Sequence, residues 1–242
     1  MTAELDGRIA LVTGVGRVGQ IGHAVAQAMG RAGARLVIVD VNAAALAERS
    51  AELMAEGIET ATAAGDLTRP VGAAAAVAVG TDRYGGLDVV VNVAGGFFNY
   101  GPVTDVTPEK LDLELAVNFK TCFFTCQAAM PALVRRGGGA IVNFASIAVV
   151  RALSNMAAYS AAKSAVAGLT HALAREYRDA NVRVNAVAPA TVRTADNVSQ
   201  MGADPKTPFV EIEDVVRVVL FLASDASRAV TGQIVPVTGK AY

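Results

Sequence analysis

The 242-residue sequence is poor in cysteine and histidine, with two of each, and it has no tryptophan. Cys122 and Cys126 lie four residues apart in a segment with helical character. Two cysteines at this spacing make neither a disulfide framework nor a zinc ligand set. We therefore expect no metal site, and we expect both cysteines to be small buried residues on a helix.

Charge of either sign is also scarce. There are 21 Lys and Arg residues and 22 Asp and Glu residues, giving a net charge of −1, and charged residues make up only 18% of the chain. The basic residues are scattered, which argues against nucleic acids and anionic membranes as partners. So few charges leave apolar surface to be covered, and we expect an oligomer that hides part of it at subunit contacts.

Segments that would direct the chain into or across a membrane are missing too. Residues 1–8 carry Glu4, Asp6 and Arg8 around a very short apolar run, which is not the pattern of a signal peptide. The longer apolar stretches are interrupted by Asn, Gln and Gly, so none is typical of a transmembrane span. The expectation is a soluble, cytoplasmic protein.

Short β-branched runs alternate with longer alanine-rich segments along the chain. The predicted strands are residues 9–13, 36–40, 89–93, 140–145, 183–188 and 233–237, and the predicted helices are 21–32, 43–56, 71–84, 108–135, 157–180 and 211–224. Several strands are apolar on both faces, as in a parallel sheet covered by helices on both sides. Since no linker or repeat interrupts the pattern, we predict one α/β domain over residues 1–242, a Rossmann-like doubly wound parallel sheet.

Two of the predicted helices, 108–135 and 157–180, are apolar or small on nearly all faces. A helix that lies on a sheet needs only one apolar stripe, so a second apolar face needs another partner. We expect a homotetramer, or a dimer, built on these two helices. A thick layer of helices within one subunit is the alternative.

A glycine-rich turn, with glycines at positions 14, 16, 19 and 22, follows the first strand and precedes the first helix. This arrangement is typical of a dinucleotide-binding site, because glycines let the backbone approach a pyrophosphate and the helix N-terminus offers free N–H groups. Asp40 lies 26 residues after Gly14, at the end of the second strand. An acid there binds the ribose hydroxyls of adenosine, with capping of the next helix as its alternative role.

Asp40 also predicts which dinucleotide binds. A 2′-phosphate about 4 Å from a carboxylate is repelled by about 4 kcal/mol at an effective dielectric constant of about 20. We therefore expect NAD to be preferred over NADP. Arg17 would weaken this preference if its side chain reached the adenine ribose.

A second motif, Tyr159-Ser-Ala-Ala-Lys163, places a phenol and an ammonium one turn apart on one helix face. Ser146 lies 13 residues upstream, just past a predicted strand. The usual pKa of tyrosine, about 10, is too high for acid–base catalysis near neutrality. We expect the Lys163 cation to lower the pKa of Tyr159 by roughly 2 to 3.

Taken in order and spacing, these motifs make the sequence similar to the short-chain dehydrogenase/reductase family over essentially its whole length. The matching residues are Thr13-Gly14 with the glycine-rich turn, Asp66-Leu67-Thr68, Asn92-Val-Ala94-Gly95, Asn118, Ser146, Tyr159, Lys163, Asn185 with Pro189, Thr194, and the segment from Leu222 to Gln233. The resemblance implies the Rossmann-like fold of that family and its nicotinamide cofactor.

The resemblance also implies roles for the matching residues. Tyr159 would be the general acid in carbonyl reduction and the general base in alcohol oxidation, and Ser146 would hydrogen-bond the substrate oxygen. Lys163 would hold the nicotinamide ribose, and Asn118 would hold a water that relays protons. The residues expected at the cofactor, besides Tyr159 and Lys163, are Gly14, Gly16, Arg17, Ile21, Asp40, Asp66, Leu67, Asn92, Ala94, Pro189, Val192 and Thr194.

The sequence departs from the family pattern at the turn and at the lid over the substrate. The usual turn, Thr-Gly-x-x-x-Gly-x-Gly, would put glycines where this chain has Val18 and Gln20. If Gly22 opens the helix, the turn is two residues longer. The lid, about residues 195–212, is shorter than usual, so we expect a pocket that is open or roofed by a neighbouring subunit.

The predicted reaction is NAD(P)-dependent hydride transfer between nicotinamide and a secondary alcohol or ketone. Reduction of a pteridine or an activated double bond is the alternative, because Thr191, Asn197 and Met201, together with residues 94–97, resemble quinonoid dihydropteridine reductase, a compact relative. That enzyme lacks the catalytic serine, so Ser146 favours a ketone or alcohol. A dinucleotide sensor without turnover is a third hypothesis, disfavoured by the complete catalytic set. The residues expected to wall the substrate pocket are Phe97, Phe98 and Tyr100, with plain loop packing as their alternative role.

Overall fold

The structure is a computed structural model that describes residues 4–202, 204 and 207–239. Within these residues, seven parallel strands form one sheet in the order β3-β2-β1-β4-β5-β6-β7. The strands are β1 Ile9–Thr13, β2 Arg35–Asp40, β3 Thr60–Ala64, β4 Val89–Asn92, β5 Gly139–Phe144, β6 Val182–Pro189 and β7 Ile234–Val237. The predicted Rossmann-like, doubly wound α/β fold is confirmed.

Helices connect successive strands. Those in the described part of the chain are α1 Ile21–Arg31, α2 Ala43–Ala55, α3 Pro70–Tyr84, α4 Pro108–Leu115, α5 Thr121–Arg135, α6 Ala157–Glu176, α7 Ala195–Met201 and α8 Ile212–Ala223. A π-helical turn at Ala116–Lys120 joins α4 to α5. The long helix predicted at 108–135 is thus present, and this π-helical turn interrupts it. None of the described helices is long and apolar enough to cross a membrane.

Both faces of the sheet are buried, which explains the continuous apolar runs in the sequence. Successive strand residues point to opposite sides. In β1, Ala10 and Val12 belong to the core that includes α1, α2 and α8, whereas Ile9 and Leu11 belong to the core that includes α3, α5 and α6. All four side chains are 0% exposed.

Strand β3, which lies at one edge of the sheet, was not predicted from the sequence. This strand consists of threonine and alanine, has β2 as its neighbour in the described sheet, and is exposed over part of its length. It therefore lacks the apolar run that marks the other strands. The bounds of β1 are as predicted, and those of the other predicted strands differ by at most one residue at either end. Helix α6 ends four residues early, at Glu176, before a 3₁₀ turn at Arg178–Ala180.

The crossing point of the two halves of the sheet lies between β1 and β4. From β1 the chain proceeds outward to β2 and β3, and then it returns to β4 on the other side of β1. In open parallel sheets, ligands bind at the carboxyl ends of the strands beside such a point. The turns that follow β1 and β4 are the glycine-rich turn and the segment that begins at Val93, so both meet at this edge.

Helix α7 occupies the first part of the predicted lid and was not anticipated. Thr194 caps it, since its Oγ1 accepts a hydrogen bond from Asn197 N–H at 3.3 Å. Residues 203, 205 and 206 of the predicted lid, and residues 1–3 and 240–242 of the predicted domain, lie outside the described residues.

Candidate active site

The glycine-rich turn leaves β1 at its carboxyl end and packs directly against the chain after β4. Gly14 has a φ of 73°, and a Cβ on it would lie 3.0 Å from the N and Cα atoms of Ala94. Thr13 Oγ1 accepts a hydrogen bond from Ala94 N–H at 2.9 Å. A Cβ on Gly22, in the first turn of α1, would lie 2.0 Å from the carbonyl oxygen of Gly14. Backbone atoms therefore approach each other here as closely as only glycine allows.

The close contact of Gly22 identifies it as the glycine that opens the first helix, so the turn is two residues longer than the family motif. The extra length reaches α7. Gly19 O accepts a hydrogen bond from Ala195 N–H at 2.9 Å, and Arg17 forms an ion pair with Asp196. The turn is thereby tied to the beginning of the predicted lid.

Asp40 ends β2, and backbone amides hold its carboxylate. Oδ2 accepts a hydrogen bond from Gly16 N–H at 2.8 Å, and Oδ1 accepts one from Asn42 N–H at 3.0 Å. A Cβ at position 16 would lie 2.8 Å from Asp40 Cγ, so glycine at that position makes room for the carboxylate. Asn42, rather than Asp40, caps α2. Arg17 pairs with Asp196 and not with Asp40, so that cation does not neutralise the Asp40 carboxylate.

The residues predicted beside adenine differ in what their side chains reach. Leu67 is buried, whereas Asp66 is exposed, and hydrogen bonds from the Thr68 hydroxyl and backbone lower the pKa of Asp66. Asn92, at the end of β4, turns its amide into the protein interior, where Nδ2 donates to Asn143 Oδ1 at 2.9 Å. Its side chain is thus engaged between β4 and β5 and does not reach into the crevice.

The two cysteines lie behind this part of the sheet on α5. Both are buried free thiols, as the sequence predicted. The hydrogen bond with Cys122 and burial raise the pKa of the Cys126 thiol. Among the described residues, no group of three or more His, Cys, Asp and Glu side chains could hold a metal ion.

The structure brings the predicted catalytic side chains together at the carboxyl ends of β4 and β5. Tyr159 and Lys163 lie one turn apart in α6, with Lys163 Nζ 5.8 Å from the centroid of the Tyr159 ring. Lys163 Nζ donates a hydrogen bond to Phe144 O, at the end of β5, at 2.9 Å. Ser146 follows that strand, and its Oγ accepts a hydrogen bond from Ala148 N–H at 3.2 Å.

The pKa values of this group run against the sequence-based expectation for Tyr159. Burial raises the pKa of the Tyr159 phenol, a hydrogen bond from Ser146 opposes that rise, and the charge of Glu114 adds to it. Burial also lowers the pKa of Lys163 to about 8. The predicted lowering of the Tyr159 pKa is wrong, because burial of the phenol is the largest influence on this pKa and raises it.

Glu114 was not predicted as a site residue, and Gly95 was predicted only as part of the matching segment that begins at Asn92. Glu114, 0% exposed, accepts a hydrogen bond from Asn118 Nδ2 at 2.8 Å. Gly95 lies where a Cβ would be 2.9 Å from Asn118 Oδ1 and 3.3 Å from Lys163 Nζ. The signal for Glu114 was its spacing of four before Asn118, which places both on one helix face.

Aromatic side chains line the mouth of the site. The Phe97 ring meets the Tyr159 ring edge-to-face, with 5.3 Å between centroids, and Tyr100 packs on Phe97 at 6.4 Å. Phe98 is 48% exposed. The loop after β4 is tied to the loop after β5, since Gly101 N–H donates to Asn155 O at 2.9 Å. Of the predicted wall residues, Phe97 thus lies beside the predicted catalytic tyrosine, and Tyr100 packs on Phe97.

The base of the lid is held by contacts around Val192. Val192 forms a bridge with Val210, which joins the segment after β6 to the segment before α8. Arg193 lies over the Phe209 ring at 4.7 Å and pairs with Glu211 at 2.9 Å. The other two predicted cofactor residues of this segment flank Val192. Pro189 is the last residue of β6, and Thr194 caps α7.

These residues fit a dinucleotide at this edge of the sheet. The turn after β1 is a cradle that a Cβ at Gly14 or Gly22 would fill, and a fixed carboxylate at Asp40 suits ribose hydroxyls. Lys163 provides a buried ammonium beside the tyrosine. Ile21 begins the helix whose N-terminus faces the turn.

Comparison with known proteins shows which proteins this chain is similar to. The protein-family model described as Enoyl-(Acyl carrier protein) reductase matches residues 14–239. The chain is 34% identical to 2-(S)-hydroxypropyl-CoM dehydrogenase 3 of Xanthobacter autotrophicus, over 99% of this chain and 98% of that protein. It is 32% identical to cyclohexanol dehydrogenase of an Acinetobacter species, over 99% and 96% of the two chains.

Solved structures extend the likeness to the fold. The structure of 7α-hydroxysteroid dehydrogenase complexed with NADH and 7-oxo glycochenodeoxycholic acid superimposes with a TM-score of 0.90 at 29% identity, over 99% of this chain and 96% of that one. All three of these proteins are dehydrogenases, and each is matched over nearly its full length. The chain belongs to the short-chain dehydrogenase/reductase family and is an oxidoreductase that acts on alcohol or carbonyl groups.

Proposed function

We propose that the protein is a nicotinamide-dependent dehydrogenase/reductase that interconverts a secondary alcohol and a ketone, with Tyr159 as the general acid and base. The observation that carries the proposal is the convergence of Ser146, Tyr159, Lys163 and Asn118 at the sheet edge that also holds the glycine cradle. Fold alone would not support it, because the same fold serves other functions. A bound nicotinamide cofactor would supply or accept the hydride.

The residues divide the remaining work among them. In the direction of reduction, the Tyr159 hydroxyl would give its proton to the carbonyl oxygen, and the Ser146 hydroxyl would donate a hydrogen bond to the same oxygen. Burial raises the pKa of Tyr159, so the phenol is protonated near neutrality, as an acid must be. Lys163, with a pKa of about 8, is mainly cationic there and suits ribose hydroxyls.

We further propose that NAD is preferred over NADP. Two backbone amides hold the Asp40 carboxylate at the end of β2, beside the glycine-rich turn, and Arg17 is engaged by Asp196. A 2′-phosphate at about 4 Å would be repelled by about 4 kcal/mol, roughly a thousandfold in affinity. We expect tighter binding of NADH than of NADPH, and an Asp40→Ala variant that narrows the gap. Equal affinities in the wild type would contradict the proposal.

The chemistry of the pocket favours an uncharged ketone or alcohol as the reacting group. The wall at Phe97, Phe98 and Tyr100 is aromatic, and Arg193 is engaged with Glu211 and Phe209 instead of facing the pocket. The matching model is described as an enoyl reductase, but enoyl reductases of this fold separate their tyrosine and lysine by six residues, and this chain has three. Carbonyl reduction therefore fits better than reduction of a double bond or a pteridine.

The test is consumption of NADH with a panel of ketones, aldehydes, diketones and quinones, run beside a Tyr159→Phe variant. Loss of the acid group is expected to reduce kcat by about 10²- to 10⁴-fold while NADH affinity stays within about twofold. Tyr84→Phe, on α3 away from the site, is the matched control and keeps full activity. Equal turnover by Tyr159→Phe, or NADH binding with no turnover of any carbonyl by the wild type, would refute the proposal.

Assembly and location complete the proposal. The exposed apolar side chains Leu111 and Leu113 on α4 and Val134 on α5 support burial of these helices between subunits. We expect a homotetramer built on α4, α5 and α6, which sedimentation equilibrium would distinguish from a dimer. A small-molecule substrate, a single domain and a cytoplasmic location are consistent with it.

A further inference from the structure

Glu114 is a carboxylate buried in the middle of the site, and its hydrogen-bond partners among the described residues are neutral N–H groups. Its side chain is 0% exposed and lies in α4, one turn before Asn118. Removing a carboxylate from water costs free energy that direct hydrogen bonds must offset. The groups that hydrogen-bond to Glu114 should therefore show why a carboxylate is buried here.

The hydrogen bonds of Glu114 join α4 to the loop after β4. Oε1 accepts from Phe98 N–H at 2.9 Å and from Asn99 N–H at 3.0 Å, and Oε2 accepts from Asn118 Nδ2 at 2.8 Å. Each of these partners is a donor, so both carboxylate oxygens of Glu114 act as acceptors.

The loop held in this way carries the aromatic wall. Between Gly96 and Asn99 it presents Phe97, whose ring packs edge-to-face on Tyr159 at 5.3 Å. Gly96 N–H donates to Asn118 Oδ1 at 3.1 Å. Three backbone N–H groups of the loop therefore rest on two side chains of one helical turn.

Glu114 also decides which way the Asn118 amide faces. An amide side chain has a donor end and an acceptor end, and a carboxylate can receive only the donor end. With Nδ2 taken by Glu114, Oδ1 is turned toward Gly96. It then lies on the side of Lys163, because a Cβ on Gly95 would contact both Asn118 Oδ1 and Lys163 Nζ.

We propose that Glu114 is the positioning residue of this site, a buried carboxylate that orients the Asn118 amide and clamps the 96–99 loop so that Phe97 packs on Tyr159. The kinetic part of this inference rests on the proposed function, whereas the hydrogen-bond part does not. The charge of Glu114 has a second consequence, because it raises the pKa of both Tyr159 and Lys163.

The proposed hydrogen bonds predict which side chains at positions 114 and 118 match as donor and acceptor. In Glu114→Gln the new amide nitrogen faces Asn118 Nδ2, and flipping Asn118 only moves the donor–donor conflict to Gly96 N–H. In Asn118→Asp two carboxylates face each other at the distance of a hydrogen bond. In the double variant, the amide introduced by Glu114→Gln would donate to one oxygen of the carboxylate introduced by Asn118→Asp, and the other oxygen would accept from Gly96 N–H. Each single change is mismatched, and the pair is matched.

The first measurement is unfolding by urea without substrate or cofactor. Each single variant is expected to lose at least about tenfold in the folding equilibrium constant, and the double variant is expected to regain most of that loss. Asp112→Asn, an exposed acid on the same helix, is the control and leaves unfolding unchanged. If the double variant is as unstable as the sum of the singles, the proposed pairing is overturned.

The second measurement is the pH profile of kcat/KM for the substrate that turns over best. Glu114→Gln is expected to reduce kcat/KM roughly tenfold, to raise the substrate KM more than the NADH KM, and to shift the profile to lower pH, because loss of the negative charge lowers both pKa values. The double variant restores the charge and shifts the profile back. A Glu114→Gln enzyme with an unchanged pH profile, in which the substrate KM rises no more than the NADH KM, would overturn the positioning role.

The two proposals fail in different ways. If no carbonyl turns over in the wild type, the proposed function fails while the unfolding cycle still tests the clamp. If the wild type turns over and Glu114→Gln matches it in unfolding and in pH profile, only the role of Glu114 fails.

Discussion

Lys163 is an ammonium group held inside the protein, and its burial has a measurable cost. Its side chain is 5% exposed, and burial lowers its pKa from the usual 10.5 to about 8. Below pH 8 the lysine is charged in the folded and the unfolded chain, so the folded protein bears the full cost, about 3 kcal/mol. Between pH 8 and pH 10.5 the folded protein releases its proton first, so the cost declines, and above pH 10.5 it is gone.

Lys163→Met keeps most of the aliphatic chain and removes the charge. It also leaves the carbonyl of Phe144 without its hydrogen bond of 2.9 Å, which costs about 1 kcal/mol. We expect the free energy of unfolding of the variant to exceed that of the wild type by about 2 kcal/mol at about pH 7 and to equal it, within about 1 kcal/mol, at about pH 10. Turnover is expected to be lost at both pH values. At about pH 7 the substitution is therefore expected to increase stability while it abolishes activity.

The assay is urea unfolding followed by far-ultraviolet circular dichroism, at both of these pH values, for the cofactor-free protein. Lys120→Met is the matched control, because Lys120 is exposed at the end of the π-helical turn and its removal should change neither value. A variant less stable than the wild type at neutral pH, or a difference that is the same at both pH values, would refute the reasoning. The first result would mean that the hydrogen bond outweighs the buried charge.

Two further predictions concern the two ends of the sheet. Gly22→Ala places a Cβ 2.0 Å from a backbone carbonyl oxygen, so we expect the free energy of unfolding to fall by about 1–3 kcal/mol and NADH to bind more weakly. Gly65→Ala is the control, because its Cβ would have its nearest contact at 3.8 Å and should change stability little. At the opposite end, Asp88 is buried and accepts from a backbone N–H at 2.9 Å and a guanidinium at 3.0 Å. Asp88→Asn is expected to lower the free energy of unfolding by about 1–3 kcal/mol. Asp225→Asn, which changes an exposed ion pair, is expected to lower it by less than about 1 kcal/mol. Urea unfolding measures both values, and kcat should be unchanged in both variants.

Much of the fold and of the candidate site could be predicted from patterns that are local in the sequence. The apolar runs of β1, β2 and β4 located those strands within a residue, because burial on both faces requires apolar side chains throughout. The helical spacing of Tyr159 and Lys163 put both on one face of α6, where the structure has them. For the same reason Gly14 and Asp40, each at the end of a predicted strand, could be assigned to one edge of the sheet.

What escaped depended on partners distant in sequence. Strand β3 is recognisable only by its pairing with β2, since threonine and alanine at a sheet edge carry no apolar signature. Glu114 resembles a surface acid of an amphipathic helix until the loop after β4 folds over it and supplies two N–H groups. Arg17 could be expected near the adenine ribose, and only the approach of α7 gives it Asp196 instead.

The sequence by itself determined the fold class, the family and the residues proposed as the catalytic set, because strand runs, glycine positions and a four-residue helical spacing are local properties of the chain. Tertiary structure alone decided the electrostatics of that set. The pKa of Tyr159 rises and that of Lys163 falls because the surrounding chain removes water from both, and desolvation depends on how much protein packs around a group rather than on its neighbours in sequence.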